Sequence, residues 1–189
     1  MTTELPTSTR RDQILTTAAK LFAERGFHGV SVHDIGAACG ISGPALYKHF
    51  SGKDDVLSAA LVAISEFLLA GGRRVAGEGS SPDVTYAELV EFHVDFALGS
   101  PELISVQARE WQNLAPDARR QVRELQLAYV DVWVDVLREL RPGLDRPAAR
   151  AAAQAVFGLL NSTPHSARLD QASMRALLVR MARGALSGL

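Results

Sequence analysis

The sequence predicts an all-α protein of about nine helices. Apolar residues recur at three- and four-residue spacing along most of the chain, and no segment sustains two-residue alternation between turn residues. Proline, glycine and serine fall at intervals that open and close helices. At 189 residues, 47% hydrophobic and 22% charged, the chain has the length and composition for one or two small domains with real cores.

The first helix is expected from about Arg11 to Arg25, with Ile14, Ala18, Leu21 and Phe22 on one stripe, Thr9 or a neighbour as cap and Gly26 as a left-handed stop. Ser31-Val32-His33-Asp34 has the capping-box form and opens a short helix whose apolar face is Val32, Ile35, Ala38 and Cys39, ending at Gly40. Ser42 can cap a third helix, Gly43 to His49, where Pro44 is tolerated because first-turn amides have no intrahelical partner. Ser51-Gly52-Lys53-Asp54 repeats the capping-box form and begins a long helix through Val56, Leu57, Ala60, Leu61, Ile64, Phe67 and Leu68, ending near Gly71 or Gly77. At about 1.5 Å per residue it spans roughly 30 Å or more, enough to connect two domains. Gly77 to Pro82 reads as a linker. Further helices are expected at about 86–98, 101–113, 116–141, 147–163 and 171–186.

The net charge of −1 excludes a uniformly basic coat, but the charge is unevenly placed. From Arg10 to Lys53 the cations Arg10, Arg11, Lys20, Arg25, Lys48 and Lys53 outnumber Asp12, Glu24 and Asp34, giving +3, and every lysine of the chain lies here. The stretch from Asp54 onward carries −3. The lone Cys39 cannot form an internal disulfide, which suits a reducing cytoplasm. The polar opening residues lack the apolar core of a secretory signal, and no run approaches the roughly 18 apolar residues of a membrane span. A soluble cytoplasmic protein with no membrane partner is expected. The five histidines show no metal-ligand spacing, and neither a phosphate-cradling glycine loop nor a nucleophile elbow occurs. Metal, cofactor and catalytic residues are therefore expected to be absent.

Residues Arg10 to Leu57 resemble the DNA-binding domain of the TetR-type transcriptional regulators. The resemblance runs through Ile14-Leu15, Ala18-Ala19, Leu21-Phe22-Ala23, Gly26-Phe27, Ser31-Val32 and Asp34-Ile35, then Gly40-Ile41-Ser42, Leu46-Tyr47-Lys48-His49-Phe50, Lys53 and Val56-Leu57. It covers about a quarter of the chain and agrees across three helices and both turns. It implies a flexible arm at 1–9, a helix-turn-helix domain at 10–57 and a helical ligand-binding and dimerisation domain at 58–189. It further implies a homodimer on a palindromic double-stranded DNA operator, acting as a repressor and released by a small hydrophobic effector.

A helix-turn-helix needs an exposed second helix and phosphate-clamping donors around it. Ser31 and Ser42 stand at helix N-termini, where free amides favour phosphate. Tyr47, Lys48, His49 and Lys53 offer polar tips, and the resemblance makes Tyr47 and Lys53 phosphate contacts. Leu46 and Phe50 hold the short helix in place. Taken singly, Tyr47 could be a plain surface residue, His49 a packed core histidine and Lys53 a solubilising one. Gly43, Pro44 and Ala45, which enter the groove first, have no side-chain donor; Pro44 and Ala45 can touch thymine methyls and Lys48 can reach a guanine. Specificity then leans on DNA shape and an Arg10/Arg11 arm, so modest half-site specificity and obligatory dimerisation are expected.

In the C-terminal part, Phe67, Phe92, Phe96, Trp111, Tyr129, Trp133 and Phe157 could line one apolar pocket, with His93, Arg109, Gln126 or Asn161 aimed inward. A plain helical core accounts for the same aromatics. Asn161 to His165 breaks an apolar helix with a polar cluster, either as a helix end or as a ligand or interface contact. With Glu110-Trp111 it resembles actinobacterial regulators that respond to acyl-CoA thioesters or related lipids, a narrower alternative to an unidentified hydrophobic effector. Ala152, Ala155, Val156, Leu159 and Leu160, with Leu177, Leu178, Met181 and Leu186, could form a four-helix dimer bundle. The rival reading is a helical interaction protein that keeps the helix-turn-helix without specific DNA binding.

Overall fold

The computed structural model describes residues 9–78 and 81–185. Among them lie helices α1 (Arg10–Arg25), α2 (Val32–Ala38), α3 (Gly43–Leu46), α4 (Lys53–Glu78), α5 (Pro82–Gly99) and α6 (Pro101–Glu110). A 3₁₀ turn (Trp111–Asn113) leads to α7 (Pro116–Leu140), α8 (Arg146–Leu160), α9 (Thr163–Ser166) and α10 (Gln171–Gly184), and no described residue is in a strand. The all-α prediction holds. These residues divide into two compact units, one of residues 9–66 with Glu102–Glu124 and the other of the described part of 67–101 with 125–185. Helices α4 and α7 each contribute to both.

In the first unit, local polar pairs set the helix boundaries. Thr9 caps α1 in a reciprocal box with Asp12, and Ser31 caps α2 in another with Asp34. Each box satisfies amides that have no partner inside the helix. Helix α1 stops at Gly26, whose φ of +72° is open to glycine and strained for other residues. Its ψ of 159° makes this an extended exit in place of the expected left-handed helical stop. Ile14, Ala18, Phe22, Ile35, Leu46, Phe50, Val56 and Leu57 are buried, and each large side chain among them contributes about 1.5–3 kcal/mol.

In the second unit, α5, α8 and α10 pack on one another around Leu89, Val90, Trp133, Leu137, Ala153, Leu160 and Leu178. The Tyr86 hydroxyl donates to the Ala182 carbonyl at 2.8 Å, joining α5 to α10. Arg175 donates to Asp95 and Glu91, both at 2.8 Å. Gly71 and Gly72 lie within α4 and do not end it. A β-carbon at Gly71 would stand 2.1 Å from Phe92 Cζ, and one at Gly72 would stand 2.5 Å from Tyr129 Cε2. Two aromatic rings therefore rest where α4 carries no side chain.

Several expectations need correction. The buried face of α2 is Ile35 and Gly36, with Val32 and Cys39 half-buried and Ala38 exposed. Helix α3 is a single turn: Tyr47 to His49 form turns instead of continuing it, with His49 N–H reaching back only to Leu46 O. At the start of α4 it is Asp55, not Asp54, that accepts from Ser51, N–H at 2.9 Å and Oγ at 3.3 Å. Gly77 belongs to α4, and Ser81 caps α5, which begins with Pro82. The linker is thus shorter than expected, and residues 79–80 lie outside the described ones. Helix α4 also contains a stretch long and apolar enough to cross a membrane, with mean hydropathy 1.6, contrary to the expectation from sequence; half of that stretch is buried inside the protein, as in a core helix. Of the arm expected at 1–9, residues 1–8 lie outside the described ones, as does Leu186, and Thr9 is the cap of α1.

Candidate nucleic-acid interface and sensor site

The start of α2, the segment after α3 and the start of α4 bring three of the expected DNA contacts together. Ser31, Tyr47 and Lys53 line an open depression of about 630 Å³ together with His28, His33, Asp34 and Asp54. Tyr47 is 58% exposed. Pro44, Lys48 and His49 are exposed, so His49 is no core histidine, and Leu46 and Phe50 are buried beneath them. Ser42 uses its carbonyl to accept the N–H groups of Ala45 and Leu46 at 3.0 and 3.2 Å, which builds the α3 turn. Gly43 begins that turn and Ala45 is half-buried within it.

The structure changes the roles of four residues. Lys53 Nζ donates to the carbonyls of Phe27 and Val30, both at 3.0 Å, and sits 4.4 Å from the Phe27 ring centre. It is therefore a brace of the α1–α2 connection first, and an ammonium with three N–H bonds keeps one for phosphate. The Ser31 hydroxyl donates to Asp34 and accepts its N–H, so its one donor is committed to the cap; that bonding holds the Asp34 carboxyl below its ordinary pKa. Arg10 and Arg11 do not form an arm. Both stand in the first turn of α1, Arg10 donating to Gln13 Oε1 and Cys39 O at 2.9 Å and Arg11 lying 5.0 Å from the Phe50 ring centre.

Sequence reasoning missed Glu110 as a building element of this unit. Its carboxylate is buried, accepts the Phe27 N–H at 3.2 Å and the Asn113 amide at 2.8 Å, and caps the backbone just after α1. Arg109, expected to face a pocket, instead donates to Ala23 O at 2.9 Å. Trp111 belongs to this unit as well, with the Arg123 guanidinium 5.9 Å from its ring centre. Neither residue would be separable from pocket residues by spacing alone, since their partners lie 86 and 12 residues away in sequence.

In the second unit the remaining candidates meet. His93 is 2% exposed, with Phe157 at 4.9 Å, Phe96 at 5.6 Å, Tyr129 at 5.9 Å and Trp133 at 6.1 Å between ring centres. Phe67 and Phe92 pair at 5.6 Å. Asn161 Oδ1 lies 3.0 Å from His93 Nε2, and the Tyr129 hydroxyl 3.2 Å from Nδ1. With Asn161 presenting an acceptor, Nε2 carries the proton and Nδ1 accepts the Tyr129 O–H. Burial lowers the His93 pKa to about 4, against a smaller opposing effect of Asn161, so the ring is neutral at pH 7. Burial raises the Tyr129 pKa; the Trp133 N–H works against that rise without reaching hydrogen-bonding geometry. Thr163 of the polar cluster donates to Ala97 O at 2.7 Å, tying the start of α9 to α5.

A separate cavity of about 340 Å³ is lined by Arg73, Ala76, Ser81, Thr85, Val132, Asp135 and Glu139 among others, and contains none of the predicted ligand contacts. Of the residues expected at a dimer interface, Val156, Leu160 and Leu178 belong to the unit's own core. Ala155 and Met181 are exposed, and Ala152, Leu159 and Leu177 are half-buried. No described group of His, Cys, Asp and Glu could hold a metal ion.

Comparison with known proteins places this architecture. Residues 14–60 match the family described as bacterial regulatory proteins, tetR family, and residues 81–165 match the tetracyclin repressor-like C-terminal domain. The HTH-type transcriptional repressor KstR2 of Rhodococcus jostii is 30% identical over 131 residues, which are 69% of this chain and 64% of that relative's length. The TetR family regulator PfmR of Thermus thermophilus superposes with a TM-score of 0.82 at 25% identity, covering 96% of this chain and 98% of the other. AibR, solved in complex with isovaleryl coenzyme A and operator DNA, has the same fold, with a TM-score of 0.73 at 23% identity over 92% of this chain and 97% of that one. The chain belongs to the TetR family of bacterial regulatory proteins.

Proposed function

We propose that this protein is a ligand-responsive transcriptional repressor that binds a near-palindromic operator as a homodimer. The observation that carries the reading is the exposed α3 turn, with Tyr47, Lys48 and His49 projecting above a buried Leu46 and Phe50. The family match over residues 14–60 covers the same surface. Residues 10–57 act as the DNA-binding segment, with phosphate contacts from Tyr47 and the third donor of Lys53, groove contacts from Pro44, Ala45 and Lys48, and support from Arg10, Arg11, Ser31, Ser42, Gly43 and His49. Residues 58–189 act as the sensor and dimerisation segment. Exposed Ala155 and Met181 on α8 and α10 support a helical dimer contact there. KstR2 is a repressor by name, which supports the same sign here, and a cytoplasmic location follows from work on DNA.

The effector is a small hydrophobic molecule held in the sensor, and the coenzyme A ester in the AibR complex supports the acyl-CoA class. It acts through α4, which carries residues of both units. It shifts the operator equilibrium only by its differential affinity for the DNA-competent and DNA-incompetent states. No enzymatic step is part of this reading.

Fluorescence anisotropy with DNA flanking the gene tests it. Saturable binding with a steep salt dependence is expected, weakened by Tyr47→Phe, which loses a phosphate contact without changing the charge, and more by Lys48→Ala, which loses a groove contact and a cation. Binding unaffected by salt and by both substitutions refutes the assignment. A monomeric variant that keeps full operator affinity refutes the dimer.

A further inference from the structure

The second unit buries a chain of polar groups inside aromatic walls, and that chain is incomplete. Tyr129 O–H donates to His93 Nδ1 and His93 Nε2–H donates to Asn161 Oδ1. Next to them, Trp133 is fully buried, and its indole N–H has no hydrogen-bond partner. One face of α7 repeats the shortage: Gln126, three residues before Tyr129 and seven before Trp133, has a buried amide nitrogen that is also unpartnered. A buried donor left without an acceptor bears its desolvation cost uncompensated, and α7 carries three at seven-residue spacing, Arg119 Nε in the first unit and Gln126 Nε2 and Trp133 Nε1 in the second. The two in the second unit lie on the face that holds Tyr129.

The character of the surrounding atoms narrows what can satisfy them. His93, Tyr129, Trp133, Phe157 and Asn161 are all uncharged, His93 because burial keeps it neutral. A carboxylate or phosphate placed here would be desolvated with no countercharge. An ammonium would likewise be desolvated with no carboxylate among these residues to balance it. Phe157 and Asn161 are only half-buried, so the polar chain extends from the core toward the surface.

We propose that the sensor recognises an apolar molecule through one uncharged carbonyl, of a ketone, ester or thioester, that accepts the Trp133 indole N–H beside the His93–Tyr129–Asn161 chain. This rests on the regulator reading and names the chemistry of its effector. Trp133 is the specificity residue: its ring is part of the core whether or not the site is filled, and its N–H is free for the carbonyl. Charged relatives of the same chain length are rejected by desolvation.

The test is isothermal titration calorimetry of the full-length protein at pH 7.5 with three ten-carbon probes: 2-decanone, decanoate and decylammonium. The ketone is expected to bind at least tenfold more tightly than either ion, and Trp133→Phe, which keeps the ring and removes the donor, to weaken the ketone at least tenfold while operator binding stays intact. In wild-type protein the indole N–H proton resonance of Trp133 should move downfield on ketone addition, with that of Trp111 unchanged; this measurement stands even if Trp133→Phe folds poorly. Equal or tighter binding of an ion, an unchanged ketone affinity in Trp133→Phe, or an unmoved Trp133 resonance overturns the proposal. Failure of all three probes to bind a protein that still binds its operator overturns it too and leaves the regulator reading standing. Loss of operator binding by the wild-type protein would instead count against that reading.

Discussion

The helix starts of the first unit and the aromatic core of the second use polar side chains over different distances. In the first, Thr9 pairs with Asp12, Ser31 with Asp34 and Ser51 with Asp55, each three or four residues apart and exposed. In the second, Tyr129 reaches His93 across 36 residues, His93 reaches Asn161 across 68 and Tyr86 reaches Ala182 across 96. Local pairs fix where helices begin, and distant pairs fix which helices meet. A cap exchanges one solvated group for another and is worth about 1 kcal/mol, whereas a distant buried group has no water to fall back on when its partner is removed.

Four measurements can break or sharpen that contrast. The largest effect is expected for Trp133→Ala, which empties the centre of the second core and should cost roughly 4 kcal/mol of unfolding free energy in urea titration; a loss below about 1 kcal/mol would show that the aromatic cluster is not tightly packed. Next comes acid. His93 is neutral when folded, with a pKa of about 4 against 6.5 as its ordinary value, so the unfolded chain binds its proton first. The stability is therefore fully present above pH 6.5 and is lost as pH falls from 6.5 toward 4, by up to roughly 3 kcal/mol. In His93→Gln the fall over this window should be smaller by that amount, and an identical pH profile would contradict the burial of a neutral ring. Glu110→Ala, which strands the Phe27 N–H and the Asn113 amide, should cost about 2 kcal/mol. Ser31→Ala should cost about 1 kcal/mol, and a larger loss than that of Glu110→Ala would invert the comparison.

The same contrast governs what can be read from the chain. Capping boxes at Thr9 and Ser31 are visible because their partners stand three residues away. The Ser51 box is misplaced by one residue because Asp54 and Asp55 are adjacent and only the helix register separates them. The aromatic set is legible as a group, since each member sits on an apolar stripe. Its division is not: Trp111 falls in the first unit and Phe96 in the second, a partition set by the path of the chain and not by spacing. Lys53 reads as a phosphate contact by family pattern, and its bonds to Phe27 and Val30 depend on a fold-back across 26 and 23 residues that no spacing rule contains.

Helix α4 at Gly71 and Gly72 has one further consequence. Most helix neighbours are separated by interlocking side chains, whose rotamers can give way and absorb a displacement of a few tenths of an ångström. Where Phe92 and Tyr129 meet these glycines, that compliant layer is missing and the rings bear directly on the main chain. The joint is stiff in compression: a shift of the Tyr129 ring toward α4 must move peptide groups rather than methyls. The cost is a helix locally weakened by two glycines, roughly 1 kcal/mol each relative to alanine, and the contact works in one direction only, since a ring that withdraws exerts no pull.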